Sequence, residues 1–191
     1  MRRLRRAFAR RVAEDWSQLT GRLKFIDESG AHLGLTRLFG RAAPGRRVVE
    51  ATPGDSGPHY TMVAALSLTG VQAPWLFAGA MDTLAFETYV QQALVPALRR
   101  GDIVLSDNLS AHKSAAARAA IEARGARLEF LPPYSPDLNP IEQCWAKVKE
   151  ALRAAKARRW DDLVTALRDA LRSITPEDAA AWFVHCGYAT A

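Results

Sequence analysis

Cysteine is scarce in this 191-residue chain, with two thiols, Cys144 and Cys186. Two are too few for a disulfide framework, and neither has a partner at CxxC or HxxxH spacing that would build a zinc site. Both are read as reduced, packed thiols of a cytoplasmic protein. Long apolar runs are lacking too. None approaches the roughly 20 residues that cross a bilayer, and no apolar segment with a small-residue cleavage site follows the first arginines, so no membrane association is expected. A GxxxxGK[ST] phosphate loop is missing, which leaves nucleotide hydrolysis without support. Gly54-Asp55-Ser56-Gly57-Pro58 looks like the nucleophile loop of a serine protease. The all-β pattern of those enzymes is absent, as are an Asp and a His in the usual order upstream, so the segment is read as a turn. Repeats and low-complexity linkers are also absent, and the length suits one domain with one real core.

Charge is uneven. Twenty-six basic residues against twenty acids give +6, and Arg2, Arg3, Arg5, Arg6, Arg10 and Arg11 alone account for that excess. A basic arm (1–22) on a neutral body (23–191) suggests a polyanionic partner, nucleic acid first, against the plain alternative of a solvated helix end. An Arg-rich transit peptide has a similar composition, but Glu14-Asp15 breaks its acid-poor character.

After an N-terminal helix of about four turns, Leu23 to Ser29 reads as a buried strand. Gly34 to Arg47 reads as short strands joined by turns, and Met62 to Leu68 as a further strand. Thr83 is placed to cap a helix through Leu84, Tyr89, Val90, Leu94 and Leu98, with a kink or restart at Pro96. Gly101-Asp102 turns into the strand Ile103 to Ser106, an alanine-rich helix runs from Ser114 to Gly125, and Ala126 to Leu131 forms another strand. A helix from Asn139 to about Ala157 and a final pair joined before Pro176 end the chain. Strands first, then alternation, then helices imply an α/β layer fold with a mixed central sheet, flanking helices and a C-terminal helical extension. The five tryptophans, with apolar neighbours, are read as core.

Three acids stand where elements end. Asp27 closes Leu23-Lys24-Phe25-Ile26, and Asp107 closes Ile103-Val104-Leu105-Ser106. Glu142 follows a turn with four prolines in nine residues, Pro132 to Pro140, which holds its path nearly fixed. Carboxylates converging from two strand ends and a helix start suit hard divalent cations, and those suit phosphodiester chemistry. Each acid has a structural alternative. Asn139-Pro140-Ile141-Glu142 has the spacing of a capping box, and Asp107-Asn108 is a common turn pair. Adjacent strand residues face opposite ways, so Asp27 or Glu28, not both, can face a site, and the apolar pattern does not decide which. Asn108, His112, Lys113, Lys149 and Arg153 are candidate phosphate contacts. For the last two the alternative is a wet helix face.

Phe25-Ile26-Asp27-Glu28-Ser29, Asp107-Asn108-Leu109-Ser110-Ala111-His112-Lys113 and Leu131-Pro132-Pro133-Tyr134-Ser135-Pro136-Asp137-Leu138-Asn139-Pro140-Ile141-Glu142 together resemble the DDE endonuclease domain of bacterial insertion-sequence transposases of the mariner superfamily, with thirty-four residues between the last two acids. The resemblance spans Leu23 to Tyr188. It implies a ribonuclease H-like fold, with Asp27, Asp107 and Glu142 as catalytic acids and ligands of two Mg2+ ions, Mn2+ substituting. The implied activity is cleavage of double-stranded DNA at transposon ends and strand transfer into target DNA. It also implies a homodimer in the bacterial cytoplasm, associated with the nucleoid. Fewer than thirty residues precede Asp27, so the helix-turn-helix portion that reads the ends is expected from an upstream reading frame. Two other readings stay open: an inactive DNA-binding or regulatory remnant of a transposase, and another ribonuclease H-like nuclease.

Overall fold

The structure is a computed structural model that describes residues 2–189. Helix α1 (Arg2–Glu14) leads to β1 (Leu23–His32), which pairs antiparallel with β2 (His59–Ser67), itself antiparallel to β3 (Gly70–Ala78). A broken helix follows as α2 (Thr83–Tyr89), a wider π segment (Val90–Leu94) and α3 (Val95–Ala97). Strand β4 (Ile103–Ser106) runs parallel to β1, and after α4 (Ala115–Ala123) strand β5 (Arg127–Phe130) runs parallel to β4. Helices α5 (Ile141–Ala155), α6 (Trp160–Arg172) and α7 (Pro176–His185) complete the chain. The sheet order is β3-β2-β1-β4-β5, the mixed sheet with flanking helices and a helical extension that the sequence implies.

Period-two alternation sorts the strand side chains into two apolar layers. Leu23, Phe25, Ile103 and Leu105 face α5, whose Ile141, Trp145, Val148 and Leu152 pack there with Phe183 and Tyr188. Ile26, Val104 and Leu128 face the other way, against Phe86, Tyr89, Val90, Leu94 and Ile121. Trp16 and Trp145 are core, as expected, whereas Trp160 is 40% exposed and lies beside Tyr60.

Several local expectations change. Residues 33–58 contain no strand, because β1 runs on to His32 and finds its partner at once in His59 of β2. The segment between them is an exposed excursion. Strand β3 was not expected, since Pro74 interrupts its pattern. As the last strand of the sheet it tolerates a residue without an N–H, and the ladder slips between Val63 and Ala65 opposite Ala73, whose φ is 48°. Asp82, not Thr83, caps α2, its Oδ1 accepting from the Ala85 N–H at 2.8 Å. Of the kink or restart expected at Pro96, the restart is seen, as α3 begins at Val95 with Pro96 in its first turn. The proline's missing N–H and its ring disturb the turn before it, which widens into the π segment.

Helix α1 packs on the body through its buried residue Phe8. Phe8 and Trp16 meet edge to face at 5.6 Å within the α5-side core. Burying a phenylalanine contributes roughly 2–3 kcal/mol. Arg5 donates to Ser135 Oγ at 2.7 Å and pairs with Asp137, while Arg11 pairs with Glu129 and lies 4.7 Å from the Trp16 ring centre. Among the described residues no helix is long and apolar enough to cross a membrane.

Candidate active site

The parallel register of β1 and β4 sets Phe25 beside Leu105. Two residues further on, Asp27, inside β1 rather than at its end as the sequence implies, and Asp107, just past the end of β4, therefore come side by side on the face that packs α5. Glu28 shares the opposite face with Ile26, and this settles geometrically what the pattern of residues left open. From β5 the chain bonds back to β4, Leu131 N–H to the Ser106 carbonyl at 2.9 Å, then turns through the prolines into α5. Asp27, Asp107 and Glu142 so come to line one cavity of about 450 Å3, with Asn108, Lys113, Tyr134, Ser135 and Asn139 on its wall. A larger cleft of about 620 Å3 between β3 and α6 holds none of these acids.

Glu142 does not close a capping box. Pro140 already has helical backbone angles and stands in the cap position, where no side chain caps the helix. Asn139 is turned the other way, its Nδ2 donating to Asp27 Oδ2 at 2.7 Å. Its Oδ1 is buried without a partner, and the residue is only 2% exposed. Asn139 was missed as a site residue because an Asn-Pro step before a helix reads as a cap, and nothing local reveals a bond to a strand 112 residues away.

Burial, then the neighbouring Glu28 and Glu142, push the Asp27 carboxyl up to about 8, although it accepts the Glu28 N–H at 2.8 Å. Burial also raises Glu142, against the pull of Lys149 and with the repulsion of Asp107 and Glu28. Asp107 ends below the usual carboxylate range. Burial works against that, but hydrogen bonds from His112 and the Leu109 N–H outweigh it. Burial likewise disfavours the His112 imidazolium, yet the bond to Asp107 and the Glu28 carboxylate facing Nε2 hold it up at about 9.

Of the expected phosphate contacts, Asn108 and Lys113 line the cavity. Asn108 Nδ2 also donates to the Leu131 carbonyl, bracing the ends of β4 and β5. Lys149 and Arg153 lie outside the cavity wall, Arg153 in a separate cleft with Arg37 and Phe39. His112 is 1% exposed and packs on the Phe86 ring at 4.5 Å, so a direct phosphate contact is corrected to a place behind Asp107.

Residues 22–164 match the family model of the DDE superfamily endonuclease. The chain belongs to this family. Among individual relatives, the Caenorhabditis elegans transposable element Tc1 transposase is 32% identical over 89 residues, 47% of this chain and 33% of its own length. This chain thus spans about a third of that relative. The crystal structure of the Mos1 mariner paired-end complex with Mn superposes with a TM-score of 0.76 at 17% identity, covering 96% of this chain and 57% of that one. The Mos1 mariner transposase catalytic domain gives 0.62 at 13% identity, covering 99% and 93%. At such identities the likeness shows the fold, which is ribonuclease H-like.

For a DDE endonuclease the donor set can be tested against a divalent cation. Among the described residues no three acids, imidazoles or thiols converge as a ready-made metal cluster. The chemistry of the wall nevertheless fits. The acids that line it offer oxygen only, burial and then the neighbouring Glu28 and Glu142 raise Asp27 toward the protonated form, and Asn139 adds a buried oxygen lacking a donor. Hard cations take such oxygens and keep some of their waters.

Proposed function

We propose that this chain is the catalytic domain of a transposase, cutting DNA at the ends of a mobile element and joining it to target DNA. The observation that carries this reading is the meeting of Asp27, Asp107 and Glu142, from three distant segments, around one cavity in a DDE endonuclease. These three acids would hold two Mg2+ or Mn2+ ions. Mos1 structures with Mn and with Mg support divalent ions here. When bound, such ions activate water or a 3′-hydroxyl and stabilise the leaving oxygen. Lys113 on the wall meets a phosphate oxygen, and Asn108 braces the two strand ends that carry the site.

Helix α1 supplies the DNA path. At about 100° per residue, Arg2, Arg6, Arg10 and Arg3 fall within an arc of about 100° opposite the docked Phe8. All four are exposed. Their helix is tied through Arg5 to Ser135 on the cavity wall, so an arginine stripe runs beside the site. Lys149 and Arg153 extend the cationic surface along α5. The motif resemblance favours a bacterial insertion sequence, hence a cytoplasmic, nucleoid-associated homodimer.

The test is cleavage of plasmid DNA and joining of 3′-hydroxyl oligonucleotides with Mn2+, in the wild type and in Asp107→Asn. Loss of both reactions in a variant with an unchanged melting curve is expected, and equal activity would remove the assignment. The exposed arginines of α1 serve equally a second reading, a DNA-binding remnant. It predicts that neither protein cuts while both bind DNA alike.

A further inference from the structure

Asp107 stands just past the last residue of β4, where no ladder bond holds its backbone, whereas Asp27 lies within β1 opposite Ala64 of β2. Something else must aim Asp107. His112 sits in a 3-10 turn (Ser110–Lys113), buried against Phe86, and its Nδ1 lies 2.5 Å from Asp107 Oδ1 and 3.0 Å from Ser106 Oγ. Its Nε2 faces Glu28 Oε2 at 3.2 Å. The Leu109 N–H reaches the same Asp107 oxygen at 3.1 Å. Both contacts fall on Oδ1, which leaves Oδ2 for the cavity.

We infer that His112 is the positioning residue for Asp107: wedged between Asp107 and Glu28, it fixes the Asp107 carboxylate so that its second oxygen faces the divalent-cation site. The inference rests on Asp107 being a metal ligand, as proposed above. Partners of metal ligands change metal affinity by about 10–100-fold when removed. The two ring nitrogens do different work, and amide side chains can replace them one at a time. An asparagine amide nitrogen takes the place of Nδ1 and keeps the bond to Asp107. A glutamine amide nitrogen takes the place of Nε2 and keeps only the contact to Glu28.

The experiment measures Mn2+ binding by electron paramagnetic resonance, without DNA, for the wild type, Asp107→Asn, His112→Ala, His112→Asn and His112→Gln, with a melting curve for each. Expected is a loss of Mn2+ affinity of about 10–100-fold in His112→Ala and His112→Gln, with His112→Asn within about threefold of the wild type. Should His112→Ala not fold, the asparagine and glutamine variants decide alone. Equal Mn2+ affinity in those two overturns the role of His112 if Asp107→Asn has lost Mn2+. If Asp107→Asn binds Mn2+ like the wild type, the metal-site reading falls first and takes this inference with it.

Discussion

Replacing Asn139 with alanine separates a purely structural amide from one that serves the cation site. The change removes an N–H that reaches Asp27 Oδ2 at 2.7 Å, a bond worth about 1–3 kcal/mol depending on the charge of its acceptor. It also removes a buried oxygen without a partner, whose burial costs about 1–3 kcal/mol. The two effects oppose each other, so without divalent ions stability is expected to shift by no more than about 2 kcal/mol, or about 4–8 °C in Tm for a chain of this size. The response to metal differs. At a concentration a hundred times its Kd, an ion stabilises the wild type by about 2.7 kcal/mol. A tenfold loss of affinity, the low end for removing a partner of a metal ligand, halves that to about 1.4 kcal/mol. Thermal melts with and without Mg2+ read the difference as a metal-induced rise in Tm that is about 3–5 °C smaller in Asn139→Ala. An equal rise in both proteins would refute the idea that Asn139 holds Asp27 for a cation.

Phe8→Ala tests whether α1 belongs to the core; urea unfolding should show a loss of about 3 kcal/mol, and a loss under about 1 kcal/mol would make α1 a loose arm. Changing Arg2, Arg3, Arg6 and Arg10 together to alanine should lower the slope of log K against log salt for duplex DNA by about 0.9 for each phosphate no longer neutralised, and an unchanged slope would move the DNA path elsewhere. Burial pushes the Cys144 thiol up to about 12 and that of Cys186 up to about 11. At pH 8 both should alkylate at least about a hundredfold more slowly in the native protein than in concentrated urea, and fast native reaction would contradict their packing.

The strands carrying the acids were legible because each begins as a short apolar run, although β1 continues past Asp27 to His32, and the proline turn because its residues leave the backbone few choices. Strand β3 was hidden by Pro74, whose missing N–H matters inside a sheet and not at its edge. The excursion between His32 and His59 was misread as strands because pairing is a property of two segments, and β1 already had both neighbours. Asn139 and His112 carried the wrong roles for a related reason. Local spacing describes what a side chain does for its own turn, and both of these reach across to acids on β1 or beyond the end of β4.

The sequence by itself determined that Asp107 follows a strand and Glu142 opens a helix, the stiffness of the link between β5 and α5, the mixed α/β class, and a family likeness carried by three motifs. The tertiary structure alone decided that Asp27 rather than Glu28 faces Asp107, because that choice depends on which face of the sheet α5 covers. It alone decided that Asn139 and His112 stand behind Asp27 on β1 and Asp107 past the end of β4, and that α1 is tied through Arg5 to Ser135 on the cavity wall. Those are long-range relations, set by strand register and helix docking, and no spacing along the chain encodes them.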